Sequence, residues 1–166
     1  MASESISVLP RTSRTSKVWS VKVWKESEAA RLAVVAGRAL YSAIFIIAAF
    51  GHFSPTTIDY AAQQGVPLPE LLVPVSGILS FTGGLSLLLG YRARLAALLL
   101  AAFLVPVTVM MHNFWAIEDP LMAQLQQAMF MKNLALFGAA LLIAHFGAGP
   151  LSLDRLDAAN RPDRSI

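Results

Sequence analysis

The chain has no cysteine. That excludes disulfides, thiolate metal sites, iron–sulfur ligation and thiol redox chemistry by the chain itself. Charge is also scarce. Asp, Glu, Lys and Arg make up 14% of the 166 residues, well below the usual quarter of a soluble domain. Between Leu32 and Gly149 the charges are Arg38, Asp59, Glu70, Arg92, Arg94, Glu118, Asp119 and Lys132, and most lie between apolar runs. The sequence has no Ser/His/Asp arrangement and no glycine-rich phosphate loop. The net charge of +3 is split among two ends and a turn, which excludes a nucleic-acid patch.

What the chain has is apolar length. Hydrophobic residues reach 56% and mean hydropathy is +0.60. We read one all-α membrane domain, a bundle of four transmembrane helices. The spans are expected at residues 32–50, 71–89, 94–111 and 133–146. The first three are each about 18–19 residues, or ~27–29 Å of helix, which crosses a bilayer core. The first run continues into GHFSP with no small-x-small cleavage site, so it is retained rather than removed as a signal. Residues 1–31 form a basic N-terminal segment, disordered or interfacial, with Trp19 and Trp24 set among lysines. Residues 32–149 form the membrane domain, and residues 150–166 are a tail.

Basic residues set the orientation. Arg11, Arg14, Lys17, Lys22, Lys25 and Arg31 precede span one; Arg92 and Arg94 lie between spans two and three; Arg155, Arg161 and Arg164 follow span four. All three regions fall on one side of a four-span protein. The positive-inside rule makes that side cytoplasmic, with both termini inside. The other two loops face outward, and each is expected to carry a short interfacial helix. In the first, Ser54 caps, Pro55 begins and Gly65 ends a helix. VPLPE then gives an extended lead into span two. Asp119 and Pro120 start the helix of span four ahead of its apolar part.

Packing signals sit on two spans. Ser76, Ser80 and Gly84 recur every fourth residue, beside Gly77 and Gly83, and Ala93, Ala97 and Ala101 do the same on span three. Small residues at that spacing let helices approach closely in lipid. Pro106 is expected to kink span three.

The polar residues gather in the stretch from Val109 to Asn133, which holds His112, Asn113, Trp115, Glu118, three glutamines and Lys132. His52 and His112 both end outward-running spans. Two readings stand: interfacial histidines bonded to loop carbonyls, or a pair meeting across the bundle mouth to relay protons, bind a quinone carbonyl or ligate a metal. Arg38, Tyr41, Ser42, Phe45, Ala49 and His52 share one helix face, since 14 residues at 100° return to within ~40°. Arg38 either snorkels to headgroups or finds an interior partner. Glu118 is free to pair with Lys132 or a histidine. Lys132–Asn133 enters span four and is a site candidate as an ionisable pair at a membrane edge. His145 reads as interfacial. No haem, metal or iron–sulfur motif is present.

GRALYSAIFIIAAFGHF, GVPLPE, GILSFTGGLSLLLGYRARLAALLL and MHNFWA…DP…QQAMFMKNLALFGAALLI together resemble the DoxX-like (DoxX/DoxD) membrane proteins over residues 36–146. The resemblance implies a four-helix protein of the bacterial cytoplasmic membrane. It implies a redox-linked, quinone-interacting subunit of the thiosulfate:quinone oxidoreductase type, with a membrane or periplasmic redox protein as partner. A non-enzymatic assembly subunit, docking another membrane protein through its small-residue faces, is the alternative. The family-like polar positions are Arg38, His52, His112, Asn113, Lys132 and Asn133. Many relatives carry glutamate where this chain has Ser80. The expected site places His52, His112 and Lys132 in catalytic roles, with Arg38, Tyr41, Asn113, Trp115, Glu118 and Asn133 binding.

Overall fold

The structure is a computed structural model and describes residues 28–160. The expectations for the N-terminal segment up to residue 27, and for Arg161 and Arg164, lie outside the described residues. The described chain has no strand. Its helices are α1 (Glu28–Gly51), α2 (Pro55–Gln63), α3 (Pro69–Leu89), α4 (Ala93–Met111), α5 (Pro120–Phe146) and α6 (Leu153–Ala159), with one 3-10 turn at Phe114–Ala116. Four of them, α1, α3, α4 with the turn after it, and α5, are long and apolar enough to cross a membrane.

The local chemistry explains most of the boundaries. Asp119 caps α5: its Oδ1 accepts from the Met122 amide at 2.7 Å, and Pro120 follows at the first helical position. Gly90 ends α3 at φ 65°, a left-handed conformation that costs a glycine nothing. Two expectations need correction. Ser54 precedes α2 but makes no side-chain cap bond; its hydroxyl pairs with Thr56 at 2.7 Å instead. The lead into α3 is not extended throughout. Leu68 takes φ 46°, and its carbonyl closes the first turn by accepting from Leu71 and Leu72 at 3.0 and 2.9 Å. The second interfacial helix is only the 3-10 turn. α4 runs through Pro106 to Met111 without a break in the helix.

α5 has 27 residues, or ~40 Å at 1.5 Å per residue, against a hydrocarbon core of roughly 30 Å. Its first turns therefore overhang the bundle end. This overhang later supplies a site residue.

α1 packs chiefly on α3 and α5 on α4, with α3 and α4 joined as a hairpin. The expected face of α1 is the buried one: Arg38, Ser42, Phe45 and Ala49. On α3 the closest approach uses Gly77, Ser80 and Gly84. A Cβ on Gly77 would stand 2.8 Å from the His52 Cβ and 3.1 Å from the Ala49 carbonyl; one on Gly84 would stand 3.1 Å from the Phe45 Cβ. Between them the Ser80 hydroxyl donates to the Phe45 carbonyl at 3.0 Å. Ala93, Ala96, Ala97 and Ala101 are buried on α4 beside Leu100 and Leu104. Many large apolar residues, such as Leu40, Ile47 and Leu142, point outward. In lipid that exposure carries no hydrophobic cost, so close packing of small residues holds the bundle instead.

Past α5 the chain folds back. Arg38, buried on α1, donates to the carbonyls of Ala148 at 2.7 Å, Pro150 at 3.4 Å and Leu151 at 2.8 Å. Asp154 of α6 accepts from the amides of Arg92 and Ala93 at 2.6 and 2.9 Å, so it caps α4 from a distant part of the chain. The segment from 150 to 160 is a docked element of the bundle.

Candidate functional site

At the bundle end opposite this latch, two histidines terminate two helices. His52 follows α1 directly and His112 follows the last turn of α4. Because α1 and α4 run in the same direction, both imidazoles reach the same level. They line one cavity of about 150 Å³ together with Lys132 and Asn133 of α5 and Ser80 of α3. Asn133 is buried at 5% exposure and Ser80 at 1%, so two neutral polar groups lie at the cavity floor. Phe45, Phe103 and Leu104 supply apolar wall. Lys132 is itself exposed, so it stands at the rim.

A second, larger cavity of about 470 Å³ opens beneath α2. It shares His52, His112, Phe103 and Val107 with the first, and its remaining wall is mostly apolar, including Ala61, Val73, Pro106 and Met110. The histidines thus stand where a small polar chamber meets a larger greasy one.

Hydrogen bonding fixes how the rings are used. His52 Nδ1 lies 2.9 Å from Ser76 Oγ, and Ser76 donates its one hydroxyl proton to the Val73 carbonyl at 2.7 Å. Ser76 has no second proton. His52 Nδ1 must therefore carry the proton of that contact. His112 obeys the same logic. Its Nδ1 lies 2.7 Å from Gln126 Oε1; Gln126 Nε2 donates to Tyr60 Oη at 3.1 Å; Tyr60 donates to the Met111 carbonyl at 3.3 Å. The phenol proton is committed to Met111, so Tyr60 accepts from the amide and the amide oxygen faces His112. Both neutral rings are Nδ1–H tautomers, and Nε2 is the acceptor left to each. Burial pushes the His52 imidazolium below its ordinary value, partly opposed by its hydrogen bonding near Val73.

The structure gathers four of the expected site residues: His52, His112, Lys132 and Asn133. It places the others elsewhere. Arg38 shares a helix face with His52, but 14 residues of helix put it ~21 Å away, where it clasps the 148–151 carbonyls. Tyr41 lies between, its hydroxyl donating to the Leu136 carbonyl at 3.0 Å. Asn113 precedes the 3-10 turn, its carbonyl accepting from Ala116 at 3.0 Å. Trp115 is exposed and packs edge-on with Phe114 and Phe130, at centroid separations of 5.2 and 5.9 Å. Glu118 is exposed and lines neither histidine cavity. His145 is exposed at the other end, its ring 4.7 Å from that of Phe146.

Ser76, Tyr60 and Gln126 were missed as site residues. The spacing of Ser76 marks it only as a packing residue, and no spacing marks the other two: Tyr60 is on α2, and Gln126 meets His112 only because α5 overhangs. Among the described residues no three His, Cys, Asp or Glu side chains converge as a metal would need. The arrangement can accept hydrogen bonds from a ligand at two imidazoles, donate from an ammonium, and enclose an apolar extension next door.

The DoxX family model matches residues 33–113. Over 123 residues the chain is 32% identical to the inner membrane protein YqjF of Escherichia coli (strain K12), covering 74% of this chain and 90% of that protein. It is 30% identical over 128 residues to the inner membrane protein YphA of the same organism, covering 76% of this chain and 86% of that one. A shorter match, 29% over 77 residues, is to the ER-derived vesicles protein ERV29 of Saccharomyces cerevisiae (strain ATCC 204508 / S288c), covering 46% of this chain and 24% of that protein. No solved structure matches the chain.

Proposed function

This chain belongs to the DoxX family, and from that premise we propose that it is an inner-membrane protein that binds a quinone as a redox-linked subunit. Its similarity to two inner membrane proteins supports the location. The observation that carries the binding reading is the junction of the two cavities at His52 and His112. A ring bearing oxygen atoms suits the small polar chamber, and an isoprenoid tail suits the larger apolar one. Bound there, a quinone supplies a two-electron, two-proton acceptor. Electrons come from a partner redox protein or a small sulfur-oxyanion reductant, since the chain has no electron carrier motif.

The residues divide the remaining work. Neutral His52 and His112 accept a proton at Nε2 or return it there, each held in one tautomer by its Nδ1 partner. Lys132 stabilises negative charge developing on a ring oxygen at the rim. Asn133 orients the ring from the floor through its amide donor, while Ser80, whose proton goes to the Phe45 carbonyl, lines the floor. By the positive-inside rule the histidine end faces the periplasm and the arginine end the cytoplasm. An assembly role through the small-residue faces has less support, because those faces are buried between α1, α3 and α4.

The test is purification in mild detergent followed by extraction and identification of bound quinone. Wild-type protein is expected to retain quinone, and Lys132→Met to lose it while staying folded. Quinone-free wild-type protein with a single stoichiometric partner would sink this reading in favour of assembly.

A further inference from the structure

The arginine end holds a second cleft, of about 790 Å³, between the first turn of α4, the segment after α5 and α6. Arg92, Arg94 and Arg155 line it. Among the described residues these three guanidiniums make no hydrogen bond or ion pair with the chain; Arg92 only lies over the Tyr91 ring at 5.6 Å. Arg38 is the contrast at the same end, since both of its terminal guanidinium nitrogens donate to the chain's own carbonyls.

Among the described residues one carboxylate faces the cleft, and each of its oxygens already accepts a backbone hydrogen bond. Asp154 Oδ1 and Oδ2 accept from the Arg92 and Ala93 amides. The α4 N-terminus is therefore already capped, and the ligating power of the cleft lies in the guanidiniums. Among the described residues three positive groups face that one carboxylate, an excess of positive charge. The walls are preset: Asp154 pins the backbone at Arg92, and Gly147, at φ 85°, brings the Arg94 Nε within 3.5 Å of where a Cβ would stand.

The cleft also has an apolar side. Leu95 and Phe146 line it, and Phe146 is 73% exposed. Both belong to the terminal turns of membrane-spanning helices. The cations thus sit where headgroups lie, with exposed hydrocarbon directly beside them. A soluble anion would use only the first half of that arrangement.

We propose that this cleft binds an anionic phospholipid, its phosphate held by Arg92, Arg94 and Arg155 and an acyl chain lying along Leu95 and Phe146. Guanidinium forks match phosphate oxygens in pairs, and basic pockets at helix ends recognise anionic headgroups. The site is distinct from the histidine cavities and does not depend on what they bind.

The experiment titrates the full chain in mild detergent with phosphatidylglycerol, phosphatidylcholine or inorganic phosphate. Thermal unfolding and lipid adducts in native mass spectrometry are the readouts. Phosphatidylglycerol is expected to raise the melting temperature and remain bound. Phosphatidylcholine and inorganic phosphate should do neither. Arg92→Gln, Arg94→Gln and Arg155→Gln combined should weaken phosphatidylglycerol retention more than tenfold, each arginine contributing about fivefold. If the triple variant does not fold, Arg94→Gln with Arg155→Gln, both side chains exposed, is read the same way. Equal retention of phosphatidylcholine overturns the proposal, as does undiminished phosphatidylglycerol binding by the folded variant. Equal stabilisation by inorganic phosphate overturns it in favour of a soluble anion.

Discussion

His112 Nδ1 and Gln126 Oε1 meet at 2.7 Å, tying the end of α4 to the second turn of α5. The bond does two things. It fixes the tautomer of a histidine at the junction of two cavities, and it gives the overhang of α5 a reason to lie against the bundle mouth. Tyr60 extends the same chain of bonds to α2.

Gln126→Leu tests that tie. The substitution leaves the His112 Nδ1–H without its acceptor, at a cost of about 1–3 kcal/mol. Thermal unfolding in detergent should show the loss. In the folded protein quinone affinity should drop by about tenfold, or ~1.4 kcal/mol. Unchanged quinone binding would mean that the tautomer is not used.

The glycines should rank by what surrounds them. Gly90→Ala should be worst, because its φ is 65° and a Cβ would stand 2.4 Å from the Ser152 Cβ. Gly77→Ala and Gly84→Ala press on α1 and should cost about 1–3 kcal/mol each. Gly83→Ala meets only the Leu100 side chain and should cost less. Gly138 has no neighbour within 4 Å, so alanine there should be neutral or stabilise by about 0.5–1 kcal/mol through helix propensity. A series of melting curves checks the order, and a Gly138→Ala variant weaker than Gly84→Ala would break it.

Arg38→Met should release the 148–151 segment. Three carbonyls lose a charged donor, so stability should fall by about 3 kcal/mol. Proteolysis after α5 should accelerate. Quinone binding per folded molecule should be unchanged, because the latch and the histidine cavity lie at opposite ends. Loss of quinone from a well-folded Arg38→Met protein would return Arg38 to the site.

His52 gives a pH dependence of known sign. Burial lowers its folded pKa below the ordinary 6.5. The neutral ring therefore contributes stability fully above 6.5, and that contribution is lost as pH falls from 6.5 through the folded value. The melting temperature should be level from about pH 8 to 6.5 and decline below. His52→Gln cannot titrate and should flatten that decline. An identical acid limb in the variant would assign it to another group.

Much of the fold is legible in the residues. Apolar runs near bilayer length dictate helices, because every backbone polar group in lipid must be bonded within its own segment. Asp119–Pro120 marks a helix start by its own cap chemistry, and the phase of α1 picks out its buried face. The site is only half legible. His52, His112, Lys132 and Asn133 stand out because polar side chains at span ends are costly and few. A shared helix face, however, says nothing about depth, and depth separates Arg38 from His52.

The sequence by itself determined four spans, their small-residue packing faces and the polar residues at one end, since each follows from local composition and helical periodicity. Tertiary structure alone decided that Gln126 and Ser76 pin the histidines, that Arg38 clasps the chain after α5, and that Asp154 caps α4. Those bonds join residues 14 to 113 positions apart. No period or local motif encodes such partners; they meet only once the overhang of α5 and the fold-back of the tail bring them together.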